Sequence, residues 1–142
     1  MSAGSLPAGI EAAVLAMPMA RELGVRFVRV EAGTVELEIP FDERWTFRPG
    51  QYQATPVFAV ADFAAVCAAG SLLAPGWTVS TVDVTLKLLE PALEGPLRAR
   101  GRVLRGGRFL TVAAADVFSA SATGERLCAT ALVTARNIAP PS

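Results

Sequence analysis

Asp62 is the one charged or hydrogen-bonding side chain, apart from a cysteine, in the thirteen-residue run from Val57 to Ala69. A carboxylate in a dry interior loses several kcal/mol of hydration unless it is paired, wetted or protonated. At helical spacing its neighbours three and four residues away are Phe58, Ala59, Ala65 and Val66, so no cation on its own segment answers it. Two readings follow: an ion pair with an arginine from a strand, or a chemical role as general base or nucleophile. Thr81 is a hydroxyl that can hold a water or orient such a carboxylate from a neighbouring subunit, and it is also an ordinary strand residue. Gln51, Tyr52 and Gln53 give a polar approach to the apolar run, and read equally as loop polarity. Thr55-Pro56 predicts a helix start, with Thr55 as N-cap and proline at the first helical position. The free N–H groups of such a start suit a developing oxyanion. Arg98, Arg100 and Arg102 share one strand face, with Arg105 and Arg108 in the turn beyond. Their forks suit phosphates, although a solvated, ion-paired face explains the three-residue row as well.

What is missing narrows the chemistry further. The 142 residues include no histidine, which excludes Ser-His-Asp and Cys-His catalysis and a His-ligated zinc. Thirteen basic and thirteen acidic side chains balance to a formal charge of zero, whereas nucleic-acid binders carry a basic surplus. The 52% hydrophobic and 18% charged composition excludes disorder, and the length fits one domain over residues 1–142. Cys67 and Cys128 show no CxxC spacing and sit in apolar surroundings, so they read as packing residues in a reducing cytoplasm. The first twenty residues lack a basic leader region and contain Glu11. The longest uncharged stretch, Phe63 to Val82, is broken by Gly70, Pro75 and Gly76, so no membrane span is expected. Gly4–Gly9 and Gly101–Gly107 do not lie between a strand and a helix, and Gly70-Ser71 lacks nucleophile-elbow spacing.

The elements that must position these residues follow from periodicity. Ile10 to Leu23 predicts a short helix that Pro18 kinks or interrupts and Gly24 stops. Val25–Glu31 and Thr34–Pro40 read as a hairpin, the second strand alternating Val35, Leu37 and Ile39 with polar residues. Residues 41–53 form a structured loop, and residues 1–9 and 139–142 are expected to be loose ends. Val57 to Ala69, closed by Gly70, is a helix apolar on all sides and therefore buried. Period-two patterning then gives four strands: one reaching Leu88, then Leu97–Leu104, Phe109–Ser119 and Leu127–Arg136. Short turns between the last three predict an antiparallel meander. The expected class is α+β, with an antiparallel sheet curled around one buried helix.

This order resembles the hotdog fold, and within it the acyl-CoA thioesterases of the phenylacetate-degradation (PaaI-like) type. In that family the loop before the helix ends in Gly-x-x-His-Gly-Gly, with Ala-Asp nine residues after the histidine. Here Gly50-Gln51-Tyr52-Gln53-Ala54-Thr55 occupies the loop, and Ala61-Asp62 has the same spacing from Gln53. Thr81-Val82-Asp83 ahead of Pro91, the Gly107-Arg108 turn and the Gly124 turn also match the family order. The chain departs from it in Gln53 for histidine, in Ala54 and Thr55 for the two glycines, and in Phe47 for an asparagine. The resemblance implies hydrolysis of an acyl-CoA thioester, with Asp62 as base or nucleophile and the Ala54 N–H as oxyanion donor. Gln53 and Thr81 would orient the reacting groups. Thr55, Phe58, Val82 and Arg108 fall at substrate-binding positions. It implies no metal or cofactor beyond coenzyme A in the substrate, and a homodimer or dimer of dimers with sites between subunits. The rival reading is a hotdog protein that binds acyl-CoA or another apolar ligand without turnover; hotdog dehydratases depend on a histidine absent here.

Overall fold

The computed structural model describes residues 9–142; the expectation for residues 1–8 lies outside them. The predicted N-terminal helix is two short ones, α1 (Ile10–Leu15) and α2 (Pro18–Leu23). Pro18 opens α2 at a position where its missing N–H costs nothing, and Gly24 ends it in the left-handed region at φ 74°. Strands β1 (Arg26–Glu31) and β2 (Thr34–Ile39) form the expected antiparallel hairpin. The loop at 41–53 holds a 3-10 turn (Glu43–Trp45) and a small hairpin, β3 (Thr46–Arg48) with β4 (Gln51–Tyr52). Helix α3 (Ala54–Gly70) follows. Strands β5 (Thr78–Leu88), β6 (Leu97–Gly106), β7 (Leu110–Ser121) and β8 (Gly124–Ile138) complete the chain. Residues 139–142 trail β8 as an exposed tail without regular structure.

The main sheet has six antiparallel strands in the order β1-β2-β6-β7-β8-β5. The meander of the last three strands is present, and β5 lies outside it. β6, β7 and β8 are consecutive neighbours, but β5 pairs with β8 at the far edge instead of with β6. The β5–β6 connection is no hairpin: the Leu89 and Glu90 N–H groups donate to the Cys128 carbonyl at 2.9 and 3.3 Å. They fasten the end of β5 to β8 before the chain crosses to β6.

Helix α3 lies on the concave face of this sheet, and the contact is made by small residues. Ala61, Ala64, Ala65 and Ala68 are fully buried against β6 and β7, where Ala99, Ala113 and Ala115 face them. At Gly101 a side chain would bring its Cβ within 2.2 Å of the Ala64 carbonyl oxygen, so helix and strand touch backbone to backbone. Alanine combines strong helix propensity with a side chain short enough for this approach. Both cysteines are free and buried. Burial pushes the Cys67 thiol up to about 12 and the Cys128 thiol up to about 11, which keeps both protonated and unreactive.

Gly101→Ala is expected to lower stability by about 2 kcal/mol or more, the cost of overpacking a rigid contact. Gly106→Ala, whose nearest neighbour is a Leu72 methyl at 4.0 Å, is expected to change it little. Thermal melts of the two variants distinguish the close contact from a general aversion to alanine in β6.

Candidate active site

Asp62 sits on α3 facing edge strand β5, where the Thr81 hydroxyl donates to its Oδ1 at 2.8 Å. Thr81 faces inward opposite Ala135, and the β-bulge between Thr81 and Asp83 shifts the register immediately beyond it. The hydroxyl therefore reaches Asp62 from the same chain. No arginine pairs with Asp62 among the described residues, which removes the ion-pair reading; the second oxygen has no protein partner there. Burial raises the Asp62 pKa above the usual 3.8, and the Thr81 hydrogen bond opposes that rise without cancelling it. A carboxylate held by one neutral hydroxyl, with a free oxygen and a raised pKa, has the character of a general base.

The helix start differs from the sequence expectation by two residues. Gln53 is the N-cap, with extended backbone and no capping hydrogen bond from its side chain. Thr55 is thus not the N-cap; it is the second helical residue. The reason lies in β4, whose pairing carries the chain straight to Gln53, where the Gln53 N–H is taken by the Trp45 carbonyl at 2.9 Å. Ala54 and Thr55 keep their N–H groups at the exposed helix end, while Pro56 has none to offer. Among the described residues no non-glycine residue has positive φ, so Ala54 needs no glycine-only conformation to present its N–H. Gln53 is exposed beside it.

Ala54 opens onto a cleft of about 360 Å³, walled by Phe47, Tyr52, Val57, Leu88 and Leu89, with Cys128 at its base. In the sequence Cys128 reads as a packing residue and Leu88 as the end of a strand, Leu89 and Glu90 carry no signal, and only Pro91, which ends the strand pattern, marks the place. Asp62 does not line this cleft. It lies eight residues along α3 from Ala54, an axial separation of about 12 Å, so one chain does not bring the carboxylate and the N–H donors to a common reacting atom. Phe58 (40% exposed), Asp62 and the half-buried Val66 instead form an open stripe on the helix. Beside it Val82, 60% exposed, sits in the β5 bulge.

The arginines divide into two groups. Arg98 and Arg100 bind Glu38, Glu125 and Glu36, and Arg102 binds Asp116 at 3.3 Å, so the three-residue row is an ion-paired outer face. Arg108 stacks its guanidinium over Phe109 at 5.2 Å. It follows Gly107 in the β6–β7 turn, two residues after Gly106, the end of β6, which approaches Leu72 just past the C-terminal end of α3. Within one chain it is therefore at the opposite end of the helix from Ala54.

No family model matches the chain. It is 30% identical over 112 residues to a Saccharolobus solfataricus protein provisionally named an esterase, covering 79% of this chain and 72% of that one. A thioesterase family protein from Silicibacter pomeroyi superposes with a TM-score of 0.88 at 32% identity, over 92% of this chain and 96% of the other. A phenylacetic acid degradation-related protein from Ralstonia eutropha JMP134, provisionally described as a thioesterase, gives 0.75 at 28% identity, over 89% and 98%. The α+β architecture is the one these structures share, a six-stranded antiparallel sheet around a long helix. With this fold and these relatives, the chain belongs to the hotdog-fold thioesterases.

Proposed function

We propose that this protein hydrolyses acyl-CoA thioesters at a site completed by two copies of the chain. The observation that carries the reading is Asp62, raised in pKa and held only by Thr81. The thioester carbonyl oxygen accepts from the Ala54 N–H, with the Thr55 N–H beside it, and Gln53 supplies a further donor at the helix end. Asp62 of the second copy takes a proton from water as its oxygen adds to the carbonyl carbon. The tetrahedral intermediate then collapses, the C–S bond breaks, and the proton on Asp62 passes to the departing thiolate. A carboxylate, a hydroxyl and backbone donors suffice, with coenzyme A entering only as part of the substrate. Phe58 and Val82, on the open stripe and in the bulge beside it, would flank the bound thioester, and Arg108 of the second copy would meet the coenzyme's phosphates.

Two features support assembly. The roughly 12 Å along α3 between Ala54 and Asp62 is too far for one reacting centre. Strand β5 is an eleven-residue edge with one side unpaired, next to the open stripe of α3. Antiparallel pairing of two β5 edges would cover that stripe and set each Asp62 toward the other copy's helix start.

Asp62→Asn is expected to lower turnover of acyl-CoAs by about a hundredfold or more; thiol release measures it. The acid limb of the wild-type pH–rate profile should lie above the ordinary carboxylate range, because the base must be ionised and its pKa is raised. An unchanged rate in the variant, with ligand affinity retained, would favour the non-catalytic binding protein.

The same substitution should stabilise the fold. A raised native pKa means that Asp62 favours folding below its unfolded value near 3.8 and that this contribution is lost as pH rises through the native pKa. Asp62→Asn should therefore melt higher than wild type at pH 7, with the gain vanishing in acid.

Ala54→Pro deletes the donor N–H at a position where proline fits a helix, after a Gln53 already extended at ψ 166°. It is expected to cost about a hundredfold in turnover. Mixed and refolded with Asp62→Asn, it should regain part of the activity, since a heterodimer holds one site with both groups intact. No recovery would confine the site to a single chain.

A further inference from the structure

The cleft beside Ala54 has a chemical asymmetry that bears on the acyl group. Its volume, about 360 Å³, falls in the range of small-molecule sites. The polar ends of its base residues are already engaged. The Tyr52 hydroxyl donates to the Gly95 carbonyl at 2.7 Å, and the Cys128 thiol donates to the Val117 carbonyl at 3.3 Å. Tyr52 is 3% exposed and Cys128 fully buried, so neither turns a free donor or acceptor to a guest. Phe47, Val57, Leu88 and Leu89 supply apolar walls. Glu90 is the single charged lining residue. It is exposed, its backbone N–H is fixed on the Cys128 carbonyl, and no cation pairs with it among the described residues.

We propose that this cleft is the acyl pocket and that Glu90 makes it selective for neutral acyl groups over acyl groups ending in a carboxylate. The inference rests on the thioesterase reading for the identity of the guest, and adds the class of acyl group admitted. With the thioester carbonyl at the Ala54 N–H, the acyl tail runs along Phe47, Val57, Leu88 and Leu89; the remaining polar lining side chain, Gln51, has its Oε1 taken by the Arg48 guanidinium at 2.8 Å. A terminal carboxylate would lose hydration there and meet the Glu90 charge at the rim. A straight or aromatic hydrocarbon tail loses nothing and gains burial.

Binding of two thioether analogues that cannot be hydrolysed, S-hexyl-CoA and S-(5-carboxypentyl)-CoA, tests this by titration calorimetry. Wild type is expected to favour the hexyl compound by about tenfold, the scale of one partly screened like-charge contact plus lost hydration. Glu90→Gln should narrow that ratio to about twofold, and Glu90→Lys should narrow it further or reverse it. A packing role for Glu90 would not reverse selectivity with the sign of its charge. Equal ratios in all three proteins, a wild-type preference for the carboxylated compound, or no binding of either would overturn the proposal. The assay is independent of turnover. Charge-dependent selectivity in a protein that hydrolyses no acyl-CoA would sink the catalytic reading and leave this one standing, whereas Asp62-dependent hydrolysis with an unmoved ratio would do the reverse.

Discussion

The backbone contact between α3 and β6 is the constraint on which the rest of the structure depends. Gly101 lies under the Ala64 carbonyl with no room for a Cβ, and alanines continue the contact along the helix. Small residues bury little area each, but they let a helix settle onto a sheet at a distance that larger side chains forbid. The helix then has one position and one rotation. Its N-terminal N–H groups are aimed past the β3–β4 hairpin, and Asp62 is turned to β5, without either residue having to secure itself.

That fixed rotation also explains how a carboxylate persists in an apolar helix. Asp62 falls on the stripe that the sheet does not cover, so it is shielded on the β5 side and open on the other. Its pKa is raised because the shielding removes water and the only compensation is the Thr81 hydroxyl. The arginines that could have neutralised it stand on the outer face of the sheet, engaged with Glu36, Glu38, Glu125 and Asp116. A chain with thirteen acidic and thirteen basic side chains thus pairs many of its charges on the convex side and leaves one carboxylate unanswered on the concave side.

The cleft lies at the start of α3 and the carboxylate at its middle, and this separation shapes the functional reading. A reacting carbonyl needs its donor and its base within hydrogen-bond reach at once. A single chain supplies each of them at a different place, beside an edge strand that pairs on one side only among the described residues. Under the proposed reading, a symmetric pair would let each copy lend what the other lacks.

The sequence by itself determined the elements and the oddity within them. Pro18, Gly24, the alternation in β2 and the apolar run of α3 are local signals, and local signals report which face of an element is buried. Asp62 was legible as an anomaly for the same reason, and the Gln53–Asp62 spacing pointed to the family. The fold settles the partner of β5, because strands with the same period-two pattern look alike to any neighbour; β5 lies along β8, and the Leu89 and Glu90 N–H groups fasten its end to the Cys128 carbonyl. It moved the helix cap from Thr55 to Gln53, since β4 pairing fixes where the chain turns. It also placed Arg108 away from Ala54 and gathered Tyr52, Leu88, Glu90 and Cys128 around one cleft. Those groupings join residues as far apart as Tyr52 and Cys128, and long-range register is a property of the whole sheet that no stretch of sequence carries alone.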